Sequence, residues 1–169
     1  VTGNPAEKQH RVFKEGDLPN KLLRLDCSKL HSIQCDENGF PRGLQSLSFK
    51  VNVTVSATVI RTLKYLPALT ELHMTVEVEQ WERTHLRQLI QTIPRTVQRL
   101  TLIVIALPLD LTMVNQVQHS DWPPALLNLS YCGLPANRHV PAMFPHTLDV
   151  LRIPDYPPPS AHQFQLNSL

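Results

Sequence analysis

The sequence predicts an α/β fold in which a curved parallel sheet carries helices and loops on its convex side. Three observations support this prediction. A short proline-headed segment recurs six times along the 169 residues. Its apolar residues alternate as they do in a strand, and two of the intervening segments carry helical periodicity. The chain is long enough for one domain with a hydrophobic core.

The repeated segment begins with an apolar residue and proline, followed by apolar residues at fixed positions. Its occurrences are 18–27 (LPNKLLRLDC), 40–49 (FPRGLQSLSF), 66–74 (LPALTELHM), 93–102 (IPRTVQRLTL), 122–131 (WPPALLNLSY) and 144–153 (FPHTLDVLRI). The third occurrence lacks one residue after its proline, and successive prolines are 22 to 29 residues apart. Proline extends the residue before it and ends any helix that reaches it. Each proline therefore predicts a turn from an outer segment into an inner strand.

These units resemble the leucine-rich-repeat family, whose core segment is LxxLxL with a period of about 20–29 residues. The proline-led start is similar to the LPxxLxxLxL units of bacterial effector repeats and of FNIP repeats. The core positions are Leu22-Leu25-Cys27, Leu44-Leu47-Phe49, Leu69-Leu72-Met74, Val97-Leu100-Leu102, Leu126-Leu129-Tyr131 and Leu148-Leu151-Ile153. The resemblance implies a solenoid with these side chains inside. The family's asparagine, three residues after the last core position, is matched by Asn52 but largely missing elsewhere, so we expect an irregular solenoid.

Physical reasoning also requires the units to stack. A four-residue strand cannot bury its apolar face alone, and each buried leucine-sized side chain contributes roughly 1.5–3 kcal/mol. We expect a six-unit domain over residues 18–156. Residues 1–17 are polar and charged and are expected to form an N-terminal flank, as a cap or a flexible lead. Residues 157–169 are expected to form a proline-rich C-terminal tail that begins in an extended polyproline conformation.

The spacers between the units differ in character. Apolar residues at helical spacing predict helices over 56–66 and 81–93. A short helix is expected within 110–117, with Asp110 as its cap. The spacers 28–39 and 132–143 contain turn residues and are expected to be irregular.

The sequence contains no recognised catalytic, nucleotide-binding or metal-binding motif, so we expect no enzyme activity, no cofactor and no metal. His119, Ser120 and Asp121 are residue types of a catalytic triad, but adjacent side chains diverge along the backbone. Cys27 occupies a core position, where a thiol acts as a small hydrophobe. The sequence neither requires nor excludes a disulfide between Cys27 and Cys35.

Each of the two tryptophans could either pack in the core or stack on a ligand. Trp122 fills the apolar slot before Pro123 and is expected in the core. Trp81 is either a staple at the start of a helix or a partly exposed anchor.

The candidate binding site is the sheet face that the leucines leave free. If the core residues point inward, their neighbours point outward and align across strands about 4.8 Å apart. The first expected row is Arg24, Ser46, Glu71, Arg99, Asn128 and Val150. The second is Asp26, Ser48, His73, Thr101, Ser130 and Arg152, and the third is Ser28, Lys50, Thr75, Ile103, Cys132 and Pro154. From these rows we select as partner-binding residues Arg24, Asp26, Ser46, Ser48, Lys50, Glu71, His73, Arg99, Thr101, Asn128, Ser130 and Arg152.

These observations favour a non-enzymatic protein-protein interaction module or scaffold that recognises a protein partner on the concave sheet face. The alternative is a structural subunit of a large assembly such as a ribonucleoprotein. A net charge of +2 is too small to predict nucleic-acid binding by itself, so nucleic acid is a partner only within an assembly. The longest apolar stretch is far short of a membrane span, so we expect no membrane partner. The sparse, odd number of cysteines favours an intracellular, cytoplasmic location.

Overall fold

A computed structural model of the chain describes residues 10–30, 32–36, 38–52, 61–78, 85–106, 117–132, 144–154 and 161–164. The strands in these ranges are β1 (His10–Phe13), β2 (Arg24–Cys27), β3 (Ser32–Cys35), β4 (Ser46–Asn52), β5 (Glu71–Val78), β6 (Arg99–Ala106), β7 (Asn128–Cys132), β8 (Val150–Pro154) and β9 (Ala161–Phe164). They are accompanied by an α-helix, α1 (His85–Thr92), a 3-10 helix (His119–Asp121) and helical residues at 61–63. No helix in the described part of the chain is long and apolar enough to cross a membrane.

The fold is α/β, with a parallel six-stranded sheet and few helices among the described residues. The sheet has the order β2-β4-β5-β6-β7-β8, and β9 joins β8 in antiparallel orientation. The central leucine of every unit lies in one register row across the six parallel strands. That row is Leu25, Leu47, Leu72, Leu100, Leu129 and Leu151.

The prolines head tight turns, as the sequence predicts. In five units the backbone N–H of the first core residue donates to the carbonyl of the proline three residues earlier, at 2.9–3.4 Å. These pairs are Leu22–Pro19, Leu44–Pro41, Val97–Pro94, Leu126–Pro123 and Leu148–Pro145. In the shortened third unit the turn begins one residue earlier, and Leu69 donates to Leu66 at 3.2 Å.

A repeated hydrogen-bond pattern joins each unit to the next. One carbonyl oxygen just before each strand accepts two backbone N–H groups from the following unit. The acceptors are Leu23, Gln45, Thr70, Gln98 and Leu127. Two threonines add a side-chain link at a matching position: the Thr96 hydroxyl donates to the Leu69 carbonyl at 2.7 Å, and the Thr147 hydroxyl donates to the Leu126 carbonyl at 2.9 Å.

The core lies on one side of the sheet, where the inward residues of β4 to β7 meet the helical segments. Leu47, Leu72, Leu100 and Leu129 are at most 2% exposed. Helix α1 begins within the segment predicted from 81 to 93 and buries its apolar stripe, which consists of Leu86, Leu89 and Ile90. In the segment predicted from 56 to 66, residues 61–63 are helical and both Leu63 and Leu66 are buried.

One expectation about the regions outside the repeated segments is wrong. The 28–39 spacer, expected to be irregular, contains β3, which pairs in parallel with β1 from the N-terminal flank. The alternation of buried Ile33 and Cys35 in β3 explains this strand. Phe13 of the flank is also buried and lies 6.0 Å from the Phe40 ring. Strand β9 lies within the expected C-terminal tail, after its proline-rich start.

Several other predictions lie outside the described residues. They concern the polyproline start of the tail at 157–159, the first turn of the helix from 81 (including Trp81), the helix capped by Asp110 and the 133–143 loop.

Candidate functional site

The first two predicted rows of outward residues lie in register across the six parallel strands. Arg24 aligns in turn with Ser46, Glu71, Arg99, Asn128 and Val150. Asp26 aligns with Ser48, His73, Thr101, Ser130 and Arg152. All these side chains are exposed or half-buried, because alternation along each strand gives the core face to the leucines. We call this surface the open face of the sheet.

The third row is shorter than predicted. Lys50, Thr75, Ile103 and Cys132 align across β4 to β7, but Ser28 lies beyond the end of β2. A turn ends β2, since the Leu30 N–H donates to the Cys27 carbonyl at 3.0 Å. Lys50, Thr75 and Ile103 are half-buried, whereas Cys132 is buried, with 7% of its surface exposed.

A groove of about 430 Å³ follows the first two rows. Its lining combines hydroxyls, an amide, an imidazole and charged groups with the edges of four central leucines. The residues are Ser46, Leu47, Ser48, Glu71, Leu72, His73, Arg99, Leu100, Thr101, Asn128, Leu129, Ser130, Val150 and Arg152. The groove contains nine of the twelve residues selected from the sequence. The other three, Arg24, Asp26 and Lys50, lie on the same face outside it.

Ion pairs between neighbouring strands balance much of the charge on the open face. Arg99 Nε lies 3.1 Å from Glu71 Oε1, and Lys50 Nζ lies 2.5 Å from Glu77 Oε1. Arg24 and Arg152, at opposite ends of the face, are both exposed and form no ion pair within the described ranges. The face therefore combines both signs of charge with hydroxyl and amide groups.

Asp26 adds a fixed negative charge near the β2 end of the open face. Its Oδ1 accepts the Ser28 backbone N–H at 2.9 Å. Hydrogen bonds from Ser28, assisted by Ser48 and by the nearby His73, lower the pKa of the Asp26 carboxyl below its ordinary value. Asp26 is therefore ionised at neutral pH.

Within residues 119–121, the Asp121 carboxylate has a structural role, because its hydrogen bonds join two helical segments of the fold. The Asp121 carboxylate accepts hydrogen bonds from Gln91 Nε2 at 2.7 Å, from Arg87 Nε at 3.1 Å and from the Gln118 backbone N–H at 2.9 Å. Burial raises the pKa of Asp121, but these hydrogen bonds outweigh it and the net shift is downward. This carboxylate links helix α1 to the 3-10 helix of the following spacer.

The three cysteines are buried thiols, and none forms a disulfide. Cys27 and Cys35 are therefore not bridged. Burial, followed by the nearby Asp36 charge, raises the pKa of Cys35 to about 12, and burial also raises the pKa of Cys132. Both thiols are protonated at neutral pH, a state that disfavours nucleophilic attack and metal binding. The described residues contain no cluster of potential metal ligands.

Trp122 lies in the core, as its position before Pro123 predicts. It is 3% exposed, and its ring lies 5.7 Å from Phe144 and 6.3 Å from Tyr131. Core packing accounts for this tryptophan without a ligand.

A cavity larger than this groove lies elsewhere among the described residues, and the sequence analysis did not predict it. It measures about 710 Å³ and lies where the N-terminal flank meets the first three proline turns. Its lining is Glu15, Gly16, Leu18, Asn20, Asn38, Gly39, Phe40, Pro41, Arg42, Thr62, Lys64, Tyr65, Leu66 and Pro67. No pattern in the sequence marks this cavity, because it forms where separate segments of the chain come together. We retain the open face as the candidate site because its polar groups repeat in register across six strands.

Comparison with models of protein families, with curated proteins and with solved structures finds no match to this chain. The function is therefore inferred from the chemistry of the open face.

Proposed function

We propose that this protein is a non-enzymatic protein-protein interaction module of the leucine-rich-repeat type, which recognises a protein partner on the open face of its sheet. The proposal includes the finer architecture: an irregular, curved solenoid in which the open face is concave. It is supported by the shared register of the six central leucines. The architecture is also supported by two features that recur from unit to unit: the proline turn, and the carbonyl before each strand that accepts two N–H groups from the next unit.

The observation that carries the binding role is the pair of polar rows in register. Six strands about 4.8 Å apart make each row about 24 Å long. A small-molecule site is usually a concave, mostly apolar cavity. A long surface with dispersed hydrogen-bonding groups suits an extended protein contact better, since one partner of a stable complex buries about 800 Å².

The balance of charge favours a protein over a nucleic acid as partner. Affinity for a phosphate backbone comes from cations that replace counterions. Two cations of the open face, Arg99 and Lys50, instead lie beside carboxylates. The alternative role, as a subunit of a ribonucleoprotein assembly, predicts RNA binding that weakens steeply with salt. Its detection with the purified chain would favour that role over the first.

Charge reversal on the open face tests the proposal. Arg99→Glu and Arg152→Glu place acidic groups in the first and second rows, and like charges brought together at an interface cost several kcal/mol. We expect partners captured by the wild-type chain to lose about tenfold or more in affinity for the double variant. Arg95→Glu is the matched control, because Arg95 is exposed on a proline turn off the open face.

The readout is affinity capture with mass spectrometry, followed by titration of each identified partner against the purified variants. Circular dichroism verifies that each variant is folded. If every partner binds the double variant and the Arg95 control equally well, the open face is not the binding site.

A further inference from the structure

The β2 edge of the sheet is left without a strand neighbour in the described part of the chain. β2 pairs with β4 on one side only. The Leu23 carbonyl accepts N–H groups from Gln45 and Ser46. Since backbone polar groups alternate sides along a strand, Leu25 also faces β4. The N–H and C=O groups of Arg24 and Asp26 then point outward from the edge.

The core is also least covered at this edge. Leu25 is half-buried, although the central leucines of β4 to β7 are at most 2% exposed. Leu18, Leu22 and Leu30 are also only partly buried against the core, and Leu23 is 50% exposed. Exposed strand edges with apolar neighbours are ready sites for pairing with another strand.

We propose that this edge pairs with the β2 edge of a second copy of the chain, in antiparallel orientation about a two-fold axis that passes between the two Leu25 residues. In this register Arg24 lies opposite Asp26 of the second copy, and Asp26 lies opposite its Arg24. The outward backbone groups of these residues form the hydrogen-bonded pairs, and the two Leu25 residues form the close, non-hydrogen-bonded pair.

Charge complementarity selects a second copy as the occupant. The register brings an arginine against an aspartate twice, by symmetry, on the open face. The pKa of Asp26 is lowered and its carboxylate is ionised at neutral pH, so both pairs are oppositely charged. A two-fold contact of this kind is closed and self-complementary.

The dimer would join two seven-stranded sheets into one and turn both open faces to the same side. This inference does not depend on the proposed binding role. If both are right, one partner contacts a face of twice the length.

A charge-swap series with the full chain tests the dimer by sedimentation equilibrium over a range of protein concentrations. We expect a reversible dimer that salt weakens. Arg24→Glu or Asp26→Arg places like charges opposite one another and should weaken dimerisation about tenfold or more. The double variant Arg24→Glu/Asp26→Arg restores opposite charges and should recover the wild-type affinity. Thermal unfolding checks the fold of each variant, because Asp26→Arg also removes the acceptor for the Ser28 N–H.

Covalent trapping gives an independent readout. In the proposed register the two Leu25 Cα atoms are about 4.5 Å apart, which lies within the range of about 4.4–6.8 Å for disulfides. Leu25→Cys should therefore cross-link under mild oxidation, and Lys21→Cys at an exposed turn position should not. A chain that stays monomeric up to about 1 mM overturns the proposal. So does a swap variant that fails to recover dimerisation, or an assembly that grows beyond the dimer through head-to-tail pairing.

Discussion

Replacing Tyr131 with phenylalanine should make the protein more stable. The Tyr131 side chain is fully buried between Trp122 and Phe144, with ring centroids 6.3 Å away in both cases. Its hydroxyl has no hydrogen-bond partner among the described residues. A phenylalanine ring keeps both aromatic contacts and removes only this polar atom.

The expected gain follows from the cost of the hydroxyl. A buried polar group without a partner costs about 1–3 kcal/mol, and the space left by one oxygen offsets only part of the gain. We expect the free energy of unfolding to rise by about 1–2 kcal/mol, or about 2–4 °C in Tm for each kcal/mol. Urea unfolding followed by circular dichroism measures the change, with an unchanged m value.

The difference should widen in alkali. Burial, followed by the neighbouring Cys132, raises the pKa of Tyr131 above its ordinary value of 10.0. Above pH 10.0 the unfolded tyrosine loses its proton and the folded one keeps it, so the wild-type protein loses stability as the pH rises. Tyr131→Phe lacks this loss. Tyr65→Phe is the matched control, since Tyr65 is 48% exposed and should give little change.

A loss of stability in Tyr131→Phe would refute this reasoning. It would mean that the hydroxyl donates or accepts a hydrogen bond in solution, from water or from the chain outside the described ranges. The size of the loss would then measure that bond.

Three further substitutions test the contacts that join the units. Asp121→Asn should lower the free energy of unfolding by about 1–3 kcal/mol at neutral pH. The lowered pKa of Asp121 stabilises the folded protein above the unfolded value of 3.8, and this stabilisation is lost as the pH falls through the folded pKa, so the variant should lose less stability in acid. Asp149→Asn, at an exposed site, is the control, and an equal effect of both substitutions would show that the Asp121 hydrogen bonds do not stabilise the fold. Gly43→Thr should raise the free energy of unfolding in urea by about 0.5–1.5 kcal/mol, because a Cβ at Gly43 meets open space and a hydroxyl placed like that of Thr96 reaches the Leu22 carbonyl. No rise would show that the geometry at Gly43 differs from that at Thr96. Gly39→Ala should lower Tm, because the alanine Cβ would lie 2.5 Å from the Phe13 carbonyl oxygen. An unchanged Tm would show that the turn at Gly39 shifts to accommodate the methyl group without a loss of stability.

The six strands of the repeated units, their register and the first two rows of outward residues could be predicted because each unit repeats the same physical requirement. The central leucine must be buried in every unit, so its position in the sequence fixes its position in the sheet. The same alternation that buries Leu72 turns Glu71 and His73 outward. One residue deleted after Pro67 did not disturb this pattern, since the turn moved back to Leu66 and the register stayed the same.

The regions outside the repeats could not be predicted in the same way. The apolar alternation of β3 in the sequence consists of Ile33 and Cys35, which are both buried. Two residues are too short a pattern to distinguish a strand from a loop. Strand β3 pairs with β1, which lies about twenty residues earlier in the chain. The sequence of neither strand indicates that the other is its partner. The large cavity at the proline turns is lined by residues that follow β1 and β3, among them Glu15 and Asn38. It could therefore not be predicted without the positions of these two strands.

The register couples the chemistry of the open face to the core. A slip of one residue between two strands would move a leucine to the open face and a polar residue into the core. It would also separate Glu71 from Arg99, which meet only because β5 and β6 align Leu72 with Leu100. The core positions are therefore restricted to apolar residues in every unit, and the row positions are free to vary as long as their strands stay aligned. Any specificity for a partner must then lie in the identity of the row residues. For this reason Arg152→Glu is expected to leave the fold intact, and under the proposed function it is expected to change recognition of the partner.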